Sequence, residues 1–348
     1  DPDQSKGGDP LDPPPRAQDR LGARELPMDA ATIEQLIATT GSAVVVGVGN
    51  VALDVARVLI KSAEQLSDTD MPDEVLDGLA GTRITDVHIL GRRGPAYTSF
   101  TTKELREIGQ LDGVEMRVDP ADLVLDESSQ ARVAVDKVAA RNLAVFTEWA
   151  ERPKGEGSRR IWWHFWTRPT ALRGEARVSA VEVESTTIDA DGRVVGTGDP
   201  RTLEAQLVVR AVGYRGLPLP GVPYDESTGR VPHAEGRVIR DGQFSVGEYV
   251  TGWIKRGPTG VIGTNKSDAV ETVTALLADV HEGEVVPKGR SGDLDRLLAG
   301  RGITPLDMPA WHRIDAAEIE RGRSHGRMRT TLAHRQELLA AAEDDGST

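Results

Sequence analysis

The first strongly patterned stretch of the chain is GSAVVVGVGNVALDVARVL, residues 41–59. A continuous apolar run from Ala43 to Val46 meets a glycine turn, and Val51, Val55, Val58 and Leu59 then recur at helical spacing within a predicted helix over 51–65. An apolar run without alternation predicts a strand buried on both faces of a parallel sheet. The polar, acidic stretch 66–81 leads to a second strand over 87–90, and a helix over 101–110 leads to a third strand over 114–118. Together they make a strand–helix–strand unit carrying an insertion. From Ile161 to Val209 the texture changes. RRIWWHFWT, RVSAVEVEST, the turn Asp191-Gly192 and AQLVVRAVGYR follow one another without helical periods, as in a three-stranded layer added to such a core. Residues 247–282 return to a strand (GEYVTGWI), a glycine turn and a helix, and beyond Gly283 only short amphipathic pieces remain.

Residues 1–40 are crowded with Pro, Asp and Gly and read as a disordered tail or linker, with MDAATIEQLIATT a hint of a short helix. The remainder divides into 41–212 and 213–348. Composition narrows the function classes. The 348 residues are 38% hydrophobic and 28% charged, the balance of a soluble globular protein of two ordinary domains. With no cysteine, thiolate metal sites, iron–sulfur clusters and cysteine nucleophiles are excluded, so redox chemistry needs an organic cofactor. No metal site is expected. The absence of a long apolar run predicts no membrane span and a cytoplasmic location, and the net charge of −13 argues against nucleic acid as the main partner.

Gly47, Gly49, Asn50, Val51 and Ala52 lie in a G-x-G-x-x-A turn between strand and helix. The first glycine permits the tight turn, the second lets backbone approach a pyrophosphate, and the small third residue lets helix and strand pack closely. The alternative is a glycine turn serving packing alone. About 20 residues on, Asp68 and Asp70 would signal NAD by the usual count, but they fall in the polar stretch rather than at a strand end. The second strand instead runs into Gly91-Arg92-Arg93-Gly94-Pro95. Two permanently charged, forked donors there suit a ribose 2′-phosphate and favour NADP, against the plainer reading of a solvated basic turn.

In GEYVTGWIKRGPTGVIGTNKSDA the glycines Gly257, Gly260 and Gly263 open a helix whose first turn is expected to carry Asp268, with Thr264, Asn265 or Ser267 as cap. Such a helix start suits the anionic edge of a reduced flavin, with Trp253 against the ring and the backbone of Val261 and Ile262 close to it. Trp253 as a buried core residue is the alternative. In Trp162-Trp163-His164-Phe165-Trp166, alternation places Trp162, His164 and Trp166 on one face and Trp163 and Phe165 on the other. Sheet packing explains that cluster, and His164 reads as structural.

VVVGVGNVALDVARVL, HILGRRGP, FTTKELREI, VVRAVGYRG and YVTGWIKRGPTGVIGTNKSDA, in that order, resemble the adrenodoxin-reductase-like ferredoxin–NADP⁺ reductases, especially the actinobacterial type. The resemblance runs from Ser42 to the helix after Asn265, with an echo at Trp311. It implies an α/β fold: a Rossmann-like NADP-binding domain over 41–212 with an added β-rich layer, and over 213–348 the C-terminal portion of a Rossmann-like FAD-binding domain. It also implies FAD and NADP as cofactors and an iron–sulfur protein of the ferredoxin type as partner. Gly47, Gly49, Asn50, Val51 and Ala52 would hold the pyrophosphate, and Arg92 and Arg93 the 2′-phosphate. Glu104 and Glu107 would lie near the nicotinamide as the catalytic acidic residues, and Trp253, Gly260, Val261 and Ile262 along the flavin. Unaided, Glu104 and Glu107 read as a solvated helix face paired with Lys103 and Arg106. The family's own amino-terminal fingerprint for the ADP half of FAD is expected to be missing, since only about 40 residues precede Gly41. A non-catalytic NADP(H)-binding fragment without flavin is therefore the alternative function, and a glutamate-synthase small-subunit type a third. Docking an acidic ferredoxin would fall to Lys255-Arg256 or Arg159-Arg160.

Overall fold

The computed structural model describes residues 38–153, 155, 157–260, 262–286 and 292–343, so the expected tail lies almost wholly outside the described residues. They group into two compact units. One comprises the described residues up to Val212 together with those from Pro305 on, and the other runs from Gly213 to Thr304.

The first unit begins β1 (Ser42–Val46), α1 (Asn50–Ile60), α2 (Ala63–Leu66), α3 (Asp73–Ala80), β2 (Asp86–Leu90), α4 (Thr102–Ile108), β3 (Val114–Val118), α5 (Glu127–Val135), α6 (Lys137–Glu151) and β4 (Arg159–His164). It continues with β5 (Thr167–Arg173), β6 (Ala180–Ile188), β7 (Val194–Glu204) and β8 (Leu207–Arg210). Five strands form a parallel sheet in the order β3-β4-β2-β1-β8, and β5-β6-β7 form a separate antiparallel sheet. Ala43, Val44 and Val45 of β1 are fully buried, as a strand covered on both faces requires. Ala43 and Val45 face a core with Ala52, Leu53 and Ala56 of α1, whereas Val44 and Leu90 meet Val181, Val183 and Ala205 of the antiparallel layer. The first core is completed by Phe100, Phe146, Trp149, Trp163 and Phe165, with ring centroids 4.9 Å apart for Phe146–Phe165 and 5.0 Å for Phe146–Trp163 in edge-to-face pairs.

The second unit holds the small antiparallel sheet β9 (His233–Ala234), β10 (Arg237–Arg240) and β11 (Gln243–Tyr249), then α7 (Trp253–Arg256), the long α8 (Ile262–His281) and α9 (Asp293–Gly300). Its apolar core is small: Val231, Val238 and Val250, flanked by Val222 and Ile254. The chain then supplies α10 (Met308–Ser324) and α11 (Arg335–Glu343), which pack on each other and group with the first unit. Arg327 reaches the Met71 carbonyl at 2.8 Å and the Asp73 carboxylate, and the Thr331 amide donates to Asp70 at 2.8 Å. The segment beyond Pro305 therefore braces the α2–α3 insertion instead of continuing the 213–348 region.

The structure departs from the periodicity in several places. The helix expected over 51–65 stops at Ile60, where Ser62 starts a fresh capping box with Gln65. The polar stretch 66–81 contains α3. No element was expected over 137–151, where the 15-residue α6 starts on the Asp136 cap and turns Ala139, Val145, Phe146 and Trp149, at helical spacing, into the core. Trp253 opens a helical turn and does not continue β11. Because α8 begins at Ile262, Asp268 lies in its second turn, and Thr264, Asn265 and Ser267 fall inside the helix instead of at the position before it.

Candidate functional site

The turn after β1 is built from close backbone approach. Gly47 adopts φ 134°, and a Cβ on it would stand 2.1 Å from the Ala211 carbonyl oxygen at the end of β8, which only glycine avoids. Its amide donates to Leu90 at 3.0 Å, tying the turn to the end of β2. Gly49 is the N-cap of α1; no side chain caps that helix and its first turn holds no acidic residue. Its amino end thus keeps its amides and positive dipole for an anion. Ala52 is fully buried against the strand and Val51 stands exposed. The loop after β2 braces the turn: the Ser99 amide donates to Val48 at 2.9 Å, and the Thr101 amide to Asn50 Oδ1 at 3.3 Å.

Arg92 and Arg93 follow β2 at the carboxyl edge of the sheet, beside that turn, where open α/β sheets place their ligands. The Thr167 amide donates to Gly91 at 2.9 Å and the Thr186 hydroxyl to the Arg92 carbonyl at 3.0 Å, so the added layer fixes the loop. Trp166 leaves the strand alternation at φ 49° and lays its indole where a Cβ on Gly94 would be 2.5 Å away. Of the five aromatic-run residues, Trp163 and Phe165 point into the core. Trp162 and His164 stay on the opposite face, with Trp162 donating to Asp86 at 2.7 Å. Burial and the neighbouring His88 push His164 down to about 3, burial also lowers His88, and the two rings meet at 3.0 Å. Asp68 and Asp70 lie between α2 and α3, away from any strand end.

Thr101 caps α4, which carries both acidic candidates. Glu104 accepts from Arg57 of α1 at 2.7 Å, and Glu107 lies 3.7 Å from Lys103 on an exposed face. The Arg57 partner was invisible to spacing, because it comes from another helix.

In the second unit Trp253 is 49% exposed, so it is no core residue, and its ring lies 5.5 Å from that of Tyr214. Gly252, Gly257 and Gly260 all adopt positive φ around it. Val261 lies outside the described residues, and so does the side chain of Ile262, whose backbone opens α8. Beneath them Lys255, only 2% exposed, reaches Asp268 at 3.0 Å and Glu271 at 2.7 Å. Burial presses the ammonium downward, but the two carboxylates outweigh it and hold its pKa above the ordinary lysine value. Arg256 meets Asp268 at 3.1 Å, Arg160 is locked bidentate to Asp86 at 2.7 and 2.8 Å, and Arg159 donates to the Ile60 carbonyl at 2.9 Å. Neither expected docking cluster is a free basic surface, because sequence adjacency says nothing about internal partners.

No protein-family model matches the chain. NADPH-ferredoxin reductase FprA of Mycobacterium tuberculosis is 43% identical over 309 residues, which are 85% of this chain and 66% of that protein. The mitochondrial NADPH:adrenodoxin oxidoreductase of Arabidopsis thaliana is 33% identical over 332 residues, 90% of this chain and 69% of that protein. The chain belongs to the adrenodoxin-reductase-like ferredoxin–NADP⁺ reductases. Among solved members of that family, Mycobacterium tuberculosis FprA in complex with NADPH superimposes with a TM-score of 0.78 at 42% identity, covering 88% of this chain and 68% of the other. The α/β architecture expected from the motifs, a Rossmann-like parallel sheet with added antiparallel strands, is thereby shown. The chain spans about two thirds of the length of these reductases.

Proposed function

We propose that the chain works as a ferredoxin–NADP⁺ reductase: it binds NADPH and FAD and passes electrons to a small iron–sulfur protein. The observation that carries this reading is the uncapped, carboxylate-free start of α1 beside the Arg92-Arg93 tip of β2, a pyrophosphate seat next to two guanidiniums. The names and NADPH complex of its relatives support the same cofactor. Gly47, Gly49, Asn50, Val51 and Ala52 hold the pyrophosphate through backbone approach, and Arg92 and Arg93 discriminate for the 2′-phosphate. Glu104 and Glu107 face the nicotinamide end, with Glu104 fixed by Arg57. The half-exposed Trp253 and its positive-φ glycines fit an aromatic group lying flat against backbone, so the segment from Trp253 through Gly260, Val261 and Ile262 is assigned to the flavin. A bound flavin supplies the conversion of a two-electron hydride into single electrons. The chain's own part is orientation and charge: α8 starts there with no acidic residue in its first turn.

Replacing Arg92 and Arg93 together with alanine is expected to weaken NADPH binding far more than NADH binding in a direct titration, since only NADPH carries the 2′-phosphate. Equal losses would remove the assignment. The visible spectrum of the chain with added FAD, followed by anaerobic NADPH, tests the flavin half. A second reading, an NADP(H)-binding chain that holds no flavin, is favoured by the exposed apolar side of α8, and a colourless protein that still binds NADPH would establish it. No helix among the described residues is long and apolar enough to cross a membrane, and a cytoplasmic location is part of the same proposal.

A further inference from the structure

The two arginines after β2 have company that their motif does not announce. The short 3₁₀ turn Pro95–Tyr97 brings the Tyr97 ring under Arg93, whose guanidinium carbon lies 4.9 Å from the ring centroid. A second guanidinium, that of Arg132 on α5, lies 5.3 Å from the same centroid. Arg132 Nε donates to the Ala96 carbonyl at 2.9 Å, its Nη2 lies 3.3 Å from Asp136, and the Tyr97 hydroxyl meets Ser128 at 2.8 Å, so α5 and the turn are clamped together. Arg93 Nε is buried and has no hydrogen-bond partner among the described residues.

Two cations on one ring repel each other, and a buried donor without an acceptor costs free energy. Asp136 balances Arg132 in part, and the rest is relieved when a multiply charged anion sits beside Arg93, with the Tyr97 ring holding the two guanidiniums in place until then. We infer that Tyr97 and Arg132 extend the anion seat of Arg92 and Arg93. In that seat Tyr97 is the positioning residue that holds Arg93 upright, and Arg132 is a third cation that sharpens the preference for a 2′-phosphate over a free 2′-hydroxyl. The inference rests on the NADP reading above and adds specificity residues drawn from a different helix.

The test uses the full chain and two probes that need no flavin: 2′,5′-ADP, which carries the phosphate, and 5′-AMP, which lacks it, each titrated calorimetrically. Arg132→Gln and Tyr97→Leu are each expected to weaken 2′,5′-ADP by about tenfold, the scale of one charge-assisted contact, and to leave 5′-AMP unchanged. Arg132→Lys keeps the charge and is expected to recover part of the loss, and thermal melting identifies any variant that simply unfolds. Folded variants that lose both probes equally, or neither, overturn the inference while the NADP reading stands. A native chain that does not distinguish the two probes, with Arg92→Ala inert, overturns the NADP reading and this inference with it.

Discussion

The two units solve the burial problem in opposite ways. In the first, α1 and α6 turn their apolar sides inward, and Phe100, Phe146, Trp163 and Phe165 close a continuous core under the parallel sheet. In the second, the longest helix does the reverse. The side of α8 that meets its own unit carries Asp268, Thr272, Ala275 and Asp279, whereas Val270, Val273, Leu277 and Val280, at spacings of three and four, stand exposed. Three buried valines form the apolar core there, and ion pairs supply much of the remaining order: Lys255 with Asp268 and Glu271, and Arg237 with Asp279 at 2.7 Å. A helical apolar stripe in a sequence says that one side seeks cover; it does not say that the chain supplies the cover.

The sharpest way to break this comparison is to cut into each side chain set. Trp163→Ala removes the centre of the aromatic cluster and is expected to cost about 3–5 kcal/mol, whereas Leu277→Ala, on the exposed stripe, is expected to stay within about 0.5 kcal/mol. Urea unfolding of the two variants measures both. A Leu277→Ala loss as large as that of Trp163→Ala would mean that the stripe is covered in solution and the contrast is not a property of the chain.

The next effect in size concerns the charge-held unit. Lys255→Met leaves the buried Asp268 carboxylate with Arg256, the Gly252 amide at 2.6 Å and the Thr251 hydroxyl at 3.0 Å. Removing one partner of a buried pair costs about 3–5 kcal/mol, and the remaining donors place this case at about 3 kcal/mol. The loss is expected in the unfolding of the second unit, and a variant as stable as the native chain would show that the lysine contributes packing alone.

These residues also mark how far the sequence was legible. The strand at Ala43–Val46, the glycine turn and the basic tip of β2 are local signals, because a buried parallel strand and a tight turn each impose their residues within a few positions. The β-rich texture of 161–209 was legible from the lack of helical periods, but its first and last strands, β4 and β8, belong to the parallel sheet, and the added layer is β5, β6 and β7 between them, because hydrogen-bond partners are not written in a strand's own residues. What escaped were partners set by tertiary packing: Arg57 on Glu104, Arg132 on Tyr97, and the internal ion pairs that consume Lys255 and Arg160. Helix starts misled for the same reason. Thr264, Asn265 and Ser267 are good caps, yet α8 begins ahead of them at Ile262, since backbone continuity outweighs any single cap of about 1 kcal/mol.

The smallest expected effect separates the units by acid. In the first, Asp122 sits in the turn before α5, where burial pushes its carboxyl up to about 6, the charge of Asp119 adds to that and the Phe165 amide, donating at 3.0 Å, opposes it. The folded state then holds its proton more tightly than the unfolded chain does. Stability from this group is fully present below the ordinary value of 3.8 and is lost as pH rises from there through about 6. In the second unit the sign is reversed. Burial pushes Asp268 up, but the Gly252 amide, Lys255 and Thr251 outweigh it, and Arg237 and Tyr249 hold Asp279 down. Their contributions persist above 3.8 and fade as pH falls below it. Acidification from pH 6 to pH 4 is therefore expected to steady the first unit through Asp122, and further acidification to loosen the second. Asp122→Asn removes only the first of these. Its stability relative to the native chain, followed by urea unfolding across that window, should rise with pH, and a difference that stays flat would show that the buried carboxyl does not titrate there.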